Sequence, residues 1–111
     1  MLADSGEDLD RALQLAQAAT STTPDVPEMM DTLGWVYYKK QLPQLAIPLF
    51  ERCVEKAPES PIYQYHLGLA YAGSGDVERG RATLRRALNA KPDPAMATDI
   101  RQAIARLDQP N

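Results

Sequence analysis

Few residues in this chain could do chemistry, and their spacing argues against it. One cysteine, Cys53, and one histidine, His66, are the only candidates for a nucleophile and its base. A thiol attacks as the thiolate, and its base must be held against it by a third, orienting group. Cys53 and His66 fall on different predicted helices, with no orienting Asp or Asn in evidence from the sequence. One thiol and one imidazole also fall short of a metal ligand set. Gly73-Ser74-Gly75 reads as the turn of a helix hairpin rather than a phosphate-cradling loop. Arg79, Arg81, Arg85 and Arg86 share one predicted helix. A basic patch holds nucleic acid best when aromatic residues interleave with it. None do here, and the net charge is -3. The arginines therefore read as a solvated face whose stems cover apolar surface. The expectation is no enzyme, no cofactor, no metal and no nucleic-acid partner.

The 111 residues suffice for one small domain. With 44% hydrophobic and 24% charged residues, the composition is that of an ordinary folded chain. A single cysteine excludes an intrachain disulfide and leaves the redox compartment open. No apolar run approaches the roughly 20 residues of a membrane span. The segment 1–10 lacks the basic and apolar regions of a signal peptide, so localisation is left undefined. Charge is unevenly spread. Residues 1–31 carry seven acids and Arg11, for -6, whereas residues 32–111 sum to +3.

The informative feature is a repeat. Leu33-Gly34 recurs as Leu67-Gly68 at an offset of 34 residues. The same offset links Tyr37 to Tyr71, Ala46 to Gly80, Phe50 to Leu84, Cys53 to Ala87 and Pro58 to Pro92. One step back from Ala46 and Pro58 lie Ala12 and Pro24. Residue class is kept at each position, which marks a tandem structural unit. Leu-Gly and an aromatic three residues later share one helical face. The small residue at 46 and 80 lets a partner helix come close, and Phe50 or Leu84 fills the space between the two. The late proline ends the second helix.

Caps and breakers place helices near 8–22, 27–40, 43–57, 61–73, 76–90 and 94–107. Asp25 is expected to cap the second, with Pro27 in its first turn and Glu28 three residues on. Ser60-Pro61 and Asp93-Pro94 repeat the cap-proline logic, and Gly75-Asp76 is a stop followed by a new cap. Pro48, inside a helix, is expected to bend it slightly.

The pattern Leu33-Gly34-x-x-Tyr37, Ala46, Phe50, Pro58, and again Leu67-Gly68-x-x-Tyr71, Gly75, Leu84, Ala87, Pro92, resembles the tetratricopeptide repeat (TPR). Two full units fit, 27–60 and 61–94, with 5–26 as a partial repeat and 95–108 as a C-terminal capping helix. Met30 and Gln64 replace the usual early Trp, and Gln41 stands where Gly normally closes the hairpin. The resemblance implies an all-α fold over 1–111, an α-solenoid of antiparallel helix pairs wound as a right-handed superhelix. It also implies a protein-interaction module that takes a protein or peptide in a concave groove lined by the first helix of each pair.

Carried over residue by residue, the groove positions are Asp31, Thr32, Trp35 and Tyr38, then Ile62, Tyr65, His66 and Leu69. Glu28, Lys39 and Ala72 flank them. Trp35, Tyr38, Tyr65 and Leu69 miss the core markers and are expected half exposed, as on an interaction surface. His66 on that face could bond a ligand. The family's clamp for a terminal carboxylate uses Asn, Lys and Arg at positions that here hold Asp31, Thr32, Trp35, Tyr65, His66 and Leu69, so the clamp is absent. The alternative expectation is a scaffold. Ala12, Leu15, Ala16 and Ala19 of the first helix would lie partly bare, inviting end-stacking onto further repeats or weak self-association. The charge polarity would favour head-to-tail contact.

Overall fold

Proline at the start of a helix costs no hydrogen bond, because its missing N–H would be unpaired there anyway. Four of the six helices in the computed structural model, which describes residues 6–109, begin that way. They are α1 (Gly6–Thr22), α2 (Pro27–Lys39), α3 (Pro43–Lys56), α4 (Pro61–Gly73), α5 (Val77–Asn89) and α6 (Pro94–Asp108). No strand occurs among the described residues. Every helix packs on the next in sequence, and α2 touches α4 as α4 touches α6. The architecture is an all-α solenoid of helix pairs, with α2, α4 and α6 as one layer and α1, α3 and α5 as the other. No helix among the described residues is long and apolar enough to cross a membrane.

The expected caps hold at two of four places. Asp76 accepts from the Arg79 N–H at 3.1 Å and Asp93 from the Met96 N–H at 2.8 Å. Asp25 does not cap α2: Val26 occupies the cap position and makes no side-chain bond. The Asp25 carboxylate instead reaches Arg52 on α3, 2.5 Å away, because a guanidinium is the stronger partner. Ser60 also makes no side-chain cap bond, and its carbonyl accepts from the Gln64 N–H at 3.3 Å. Helix α3 runs on through Pro48, which faces solvent.

The two hairpin turns match despite different residues. Leu42 N–H donates to Tyr37 O at 2.9 Å, and Asp76 N–H to Tyr71 O at 3.0 Å, one repeat later. Between them Gln41 adopts φ 64° where Gly75 adopts φ 100°. The left-handed region costs a residue with a Cβ roughly 1–2 kcal/mol. The first hairpin thus keeps the repeat's geometry with a strained glutamine.

Two apolar clusters hold the layers together. The first is Ala46, Phe50, Leu67, Ala70 and Tyr71. The second is Leu84, Ala87, Ile100 and Ala103. On α1, Leu9 and Ala16 are buried, since residues seven apart share the seam that meets α2. The expectation of a bare Ala16 is corrected on this point, while Leu15, 67% exposed, does stand clear. The charge polarity is also partly spent within the chain: Asp10 pairs with Lys40 and Asp25 with Arg52.

Cys53 is fully buried, and its thiol donates to the Pro27 carbonyl at 3.3 Å. Burial first, then the carboxylates of Asp31 and Glu28, push the thiol up to about 12 from 9.0. Between those two pH values the unfolded chain releases a proton that the folded chain keeps, so stability falls as pH rises across the window. Alkylation of Cys53 at pH 8 should therefore proceed only at the rate of unfolding, and Cys53→Ala should flatten part of the stability loss between about pH 9 and 12. Rapid labelling of the folded chain would contradict the burial.

Candidate functional site: the aromatic face of α2 and α4

Helices repeat their faces every 3.6 residues, so Asp31, Trp35 and Tyr38 share one side of α2, and Ile62, Tyr65, His66 and Leu69 share one side of α4. Contact between α2 and α4 brings these sides together. The Trp35 ring stacks on Tyr38 at 5.2 Å and on His66 at 4.3 Å between centroids. Tyr65 continues the run, 5.8 Å from His66. The Lys39 ammonium lies 5.9 Å over the Trp35 ring. Trp35, Tyr38, Tyr65 and Leu69 are all half-buried, as the sequence predicts. Trp35 and Tyr38 rest on the first apolar cluster, Tyr65 and Leu69 on the second.

His66 departs from the expectation. Its side chain is 11% exposed, covered by Trp35 on one face and bonded to Asp31, itself 16% exposed, at 2.8 Å. A carboxylate accepts only, so Nδ1 carries the hydrogen and donates. The pair ties α4 to α2, and the imidazole lies against the Trp35 ring. Thr32 is exposed, but its hydroxyl donates back to the Glu28 carbonyl at 2.8 Å. Ile62 is half-buried in the first turn of α4.

Helix α6 adds what sequence reasoning left out. A cleft of about 350 Å³ is lined by Tyr38 of α2, by Leu69, Ala72 and Gly73 of α4, and by Ala103, Arg106 and Leu107 of α6, with Leu84 behind. Reading α6 only as a cap omitted these positions. The offset of 34 could have found them, since it carries Leu69 to Ala103, Ala72 to Arg106 and Gly73 to Leu107. Burial first, then Asp99, raises the Tyr65 phenol above its ordinary value, against the opposing pull of Arg106. That phenol stays a neutral donor.

Two of the four arginines of α5 are engaged within the fold. Arg81 bonds Glu78 at 2.6 Å, Asp108 at 2.7 Å and the Leu107 carbonyl at 3.2 Å, tying α5 to the end of α6. The Arg79 guanidinium covers the Tyr71 ring at 5.0 Å, and the Tyr71 hydroxyl donates to Glu51 at 2.6 Å.

A sequence model of the tetratricopeptide repeat matches residues 2–61 and again 32–97. Over 70 residues the chain is 31% identical to the human N-alpha-acetyltransferase 25, NatB auxiliary subunit, a match covering 63% of this chain and 7% of that protein. The chain is thus far shorter than the curated relatives it matches. Among solved structures, a variant of the Thermobaculum terrenum O-GlcNAc transferase superposes with a TM-score of 0.82 at 28% identity, over 94% of this chain and 19% of that one. The Yersinia enterocolitica type III secretion chaperone SycD, in complex with a peptide of the translocator YopD, superposes with a TM-score of 0.79 at 13% identity. That match covers 91% of this chain and 80% of SycD and bears on the fold alone.

Proposed function

This chain belongs to the tetratricopeptide-repeat family, and we propose that it holds a peptide or protein segment along the concave face of α2, α4 and α6. Family and fold make it a protein-interaction module. The observation that carries the proposal is the half-buried row of Trp35, Tyr38, Tyr65 and Leu69, continuous with the cleft walled by Ala103, Arg106 and Leu107. Large aromatic and aliphatic groups that are packed behind yet open in front are the usual anchors of an interface.

The groove suits an internal segment with apolar anchors for Tyr38, Leu69 and Leu107 and an acidic residue for Arg106. Asp31 is already engaged by His66, and no Asn-Lys-Arg clamp stands nearby to hold a chain end. The proposal involves binding without catalysis, cofactor or nucleic acid.

Peptides selected by display against the chain test the reading. Their affinity should fall about tenfold or more with Tyr38→Ala or Arg106→Glu, each removing roughly one anchor's share of binding energy. Selected peptides that bind both variants as tightly as the parent would place the partner elsewhere.

A further inference from the structure

The offset of 34 residues equates Pro24, Asp25, Met30 and Arg52 with Pro58, Glu59, Gln64 and Arg86. These residues surround equivalent places in the two full repeats, where the incoming turn meets the first helix and the end of the second. In the first repeat the place is shut. Met30, 4% exposed, fills it, Asp25 and Arg52 bridge it at 2.5 Å, and only about 200 Å³ is left. In the second repeat it stands open as a cleft of about 580 Å³ between Pro58, Glu59, Gln64, Arg86, Asn89 and Lys91.

The floor of the open cleft is polar and incomplete. Gln64 is 7% exposed. Its Nε2 donates to the Pro58 carbonyl at 3.3 Å, which fixes the orientation of the amide. Oε1 is then left buried with no partner. A buried acceptor in that state calls for a donor. The rim carries two cations, Arg86 and Lys91, and among the described residues no ion pair engages either. Glu59 is the one carboxylate on the rim, so the balance stays positive.

From this geometry we infer a second binding site, for the C-terminal residue of a partner peptide. Its free carboxylate goes to Arg86 and Lys91, its last peptide N–H to Gln64 Oε1, and its apolar side chain into the space that Met30 fills one repeat earlier. Only a group carrying an anion, an adjacent N–H and an apolar body meets all three features at once. The cleft shares no lining residue with the one at Tyr38 and Arg106, so the two proposals fail independently.

The probe is acetyl-Gly-Ser-Gly-Leu as the free acid, titrated into the labelled full chain and followed by NMR. The Gln64 side-chain amide and the backbone amides of Arg86 and Lys91 should shift. The C-terminal amide of the same peptide should bind about tenfold more weakly, the worth of one charge-assisted contact. Gln64→Met copies the first repeat, so it should keep or raise the melting temperature while weakening the free acid about tenfold. Arg86→Gln, on the exposed rim, should weaken it by a similar factor. Equal binding of acid and amide, or undiminished binding by Gln64→Met, would overturn the site. Absence of any Gln64 shift would leave water as the occupant of Oε1 and overturn it as well. N-acetyl-leucine binding as tightly as the tetrapeptide would reject a peptide in favour of a small molecule.

Discussion

Phe50→Ala is expected to lower the free energy of unfolding by roughly 3–5 kcal/mol, the cost of a cavity where a fully buried ring stood. Phe50 is 0% exposed. Its ring sits directly on Gly34: a Cβ built there would lie 2.6 Å from Phe50 Cε1. It also meets the His66 ring at 5.5 Å and joins Ala46, Leu67, Ala70 and Tyr71 in one cluster. The ring therefore contacts α2 and α4 from α3, and its loss cuts two helix interfaces. A repeat array draws its stability from nearest-neighbour contacts, so no distant core offsets the loss. The companion change is diagnostic. Gly34→Ala should destabilise the parent, because the ring has nowhere to move, and should become nearly harmless beside Phe50→Ala. Urea denaturation of the four chains of that cycle reads the coupling. Strict additivity would mean that the ring and the glycine are not in contact.

Most of the fold was legible because its determinants are local. Prolines at helix starts, Gly75 and the acidic caps at 76 and 93 act within a few residues of themselves, and the helix ends follow. Leu33, Phe50, Leu67 and Leu84 were legible as core because periodicity needs no knowledge of distance. What escaped depends on how far apart helices stand. Asp25 is a credible cap until Arg52 of α3 comes within 2.5 Å of it. His66 reads as a groove residue until Asp31 and Trp35 close over it. In the sequence Gln64 is only a replaced aromatic. The space its shorter, polar side chain leaves unfilled exists only once α5 is set against the turn before α4. The face proposed for binding was half legible, since its positions on α2 and α4 followed from the repeat and those on α6 needed the same offset carried one helix further.

That helix spacing is set at one crossing, which yields the second large effect. Gly68→Leu is expected to destabilise the chain by up to about 3 kcal/mol through overpacking. A Cβ at Gly68 would already lie 2.8 Å from Leu84 Cγ and 3.1 Å from the Gly80 carbonyl oxygen. Across the same contact, a Cβ at Gly80 would meet the Ala72 nitrogen and the Gly68 carbonyl oxygen, both at 2.9 Å. Two glycines face each other where α4 crosses α5, and the backbones approach as closely as they do because neither carries a side chain. An isobutyl group at 68 has to displace Leu84, which is itself fully buried, or force the helices apart. Parting them would open the second cluster and shift α6, which carries Ala103, Arg106 and Leu107 of the cleft. The variant should thus lose both stability and affinity for a groove-bound peptide. Gly73→Ala is the control that separates crowding from a general glycine effect. Its Cβ would meet Tyr38 Cε1 at 3.4 Å, an ordinary contact, and replacing glycine in a helix gains up to about 1 kcal/mol. Thermal melts should therefore place Gly68→Leu well below the parent and Gly73→Ala at or above it. If Gly68→Leu melted with the parent, α4 and α5 would not cross at these glycines and the repeat register would have to be redrawn.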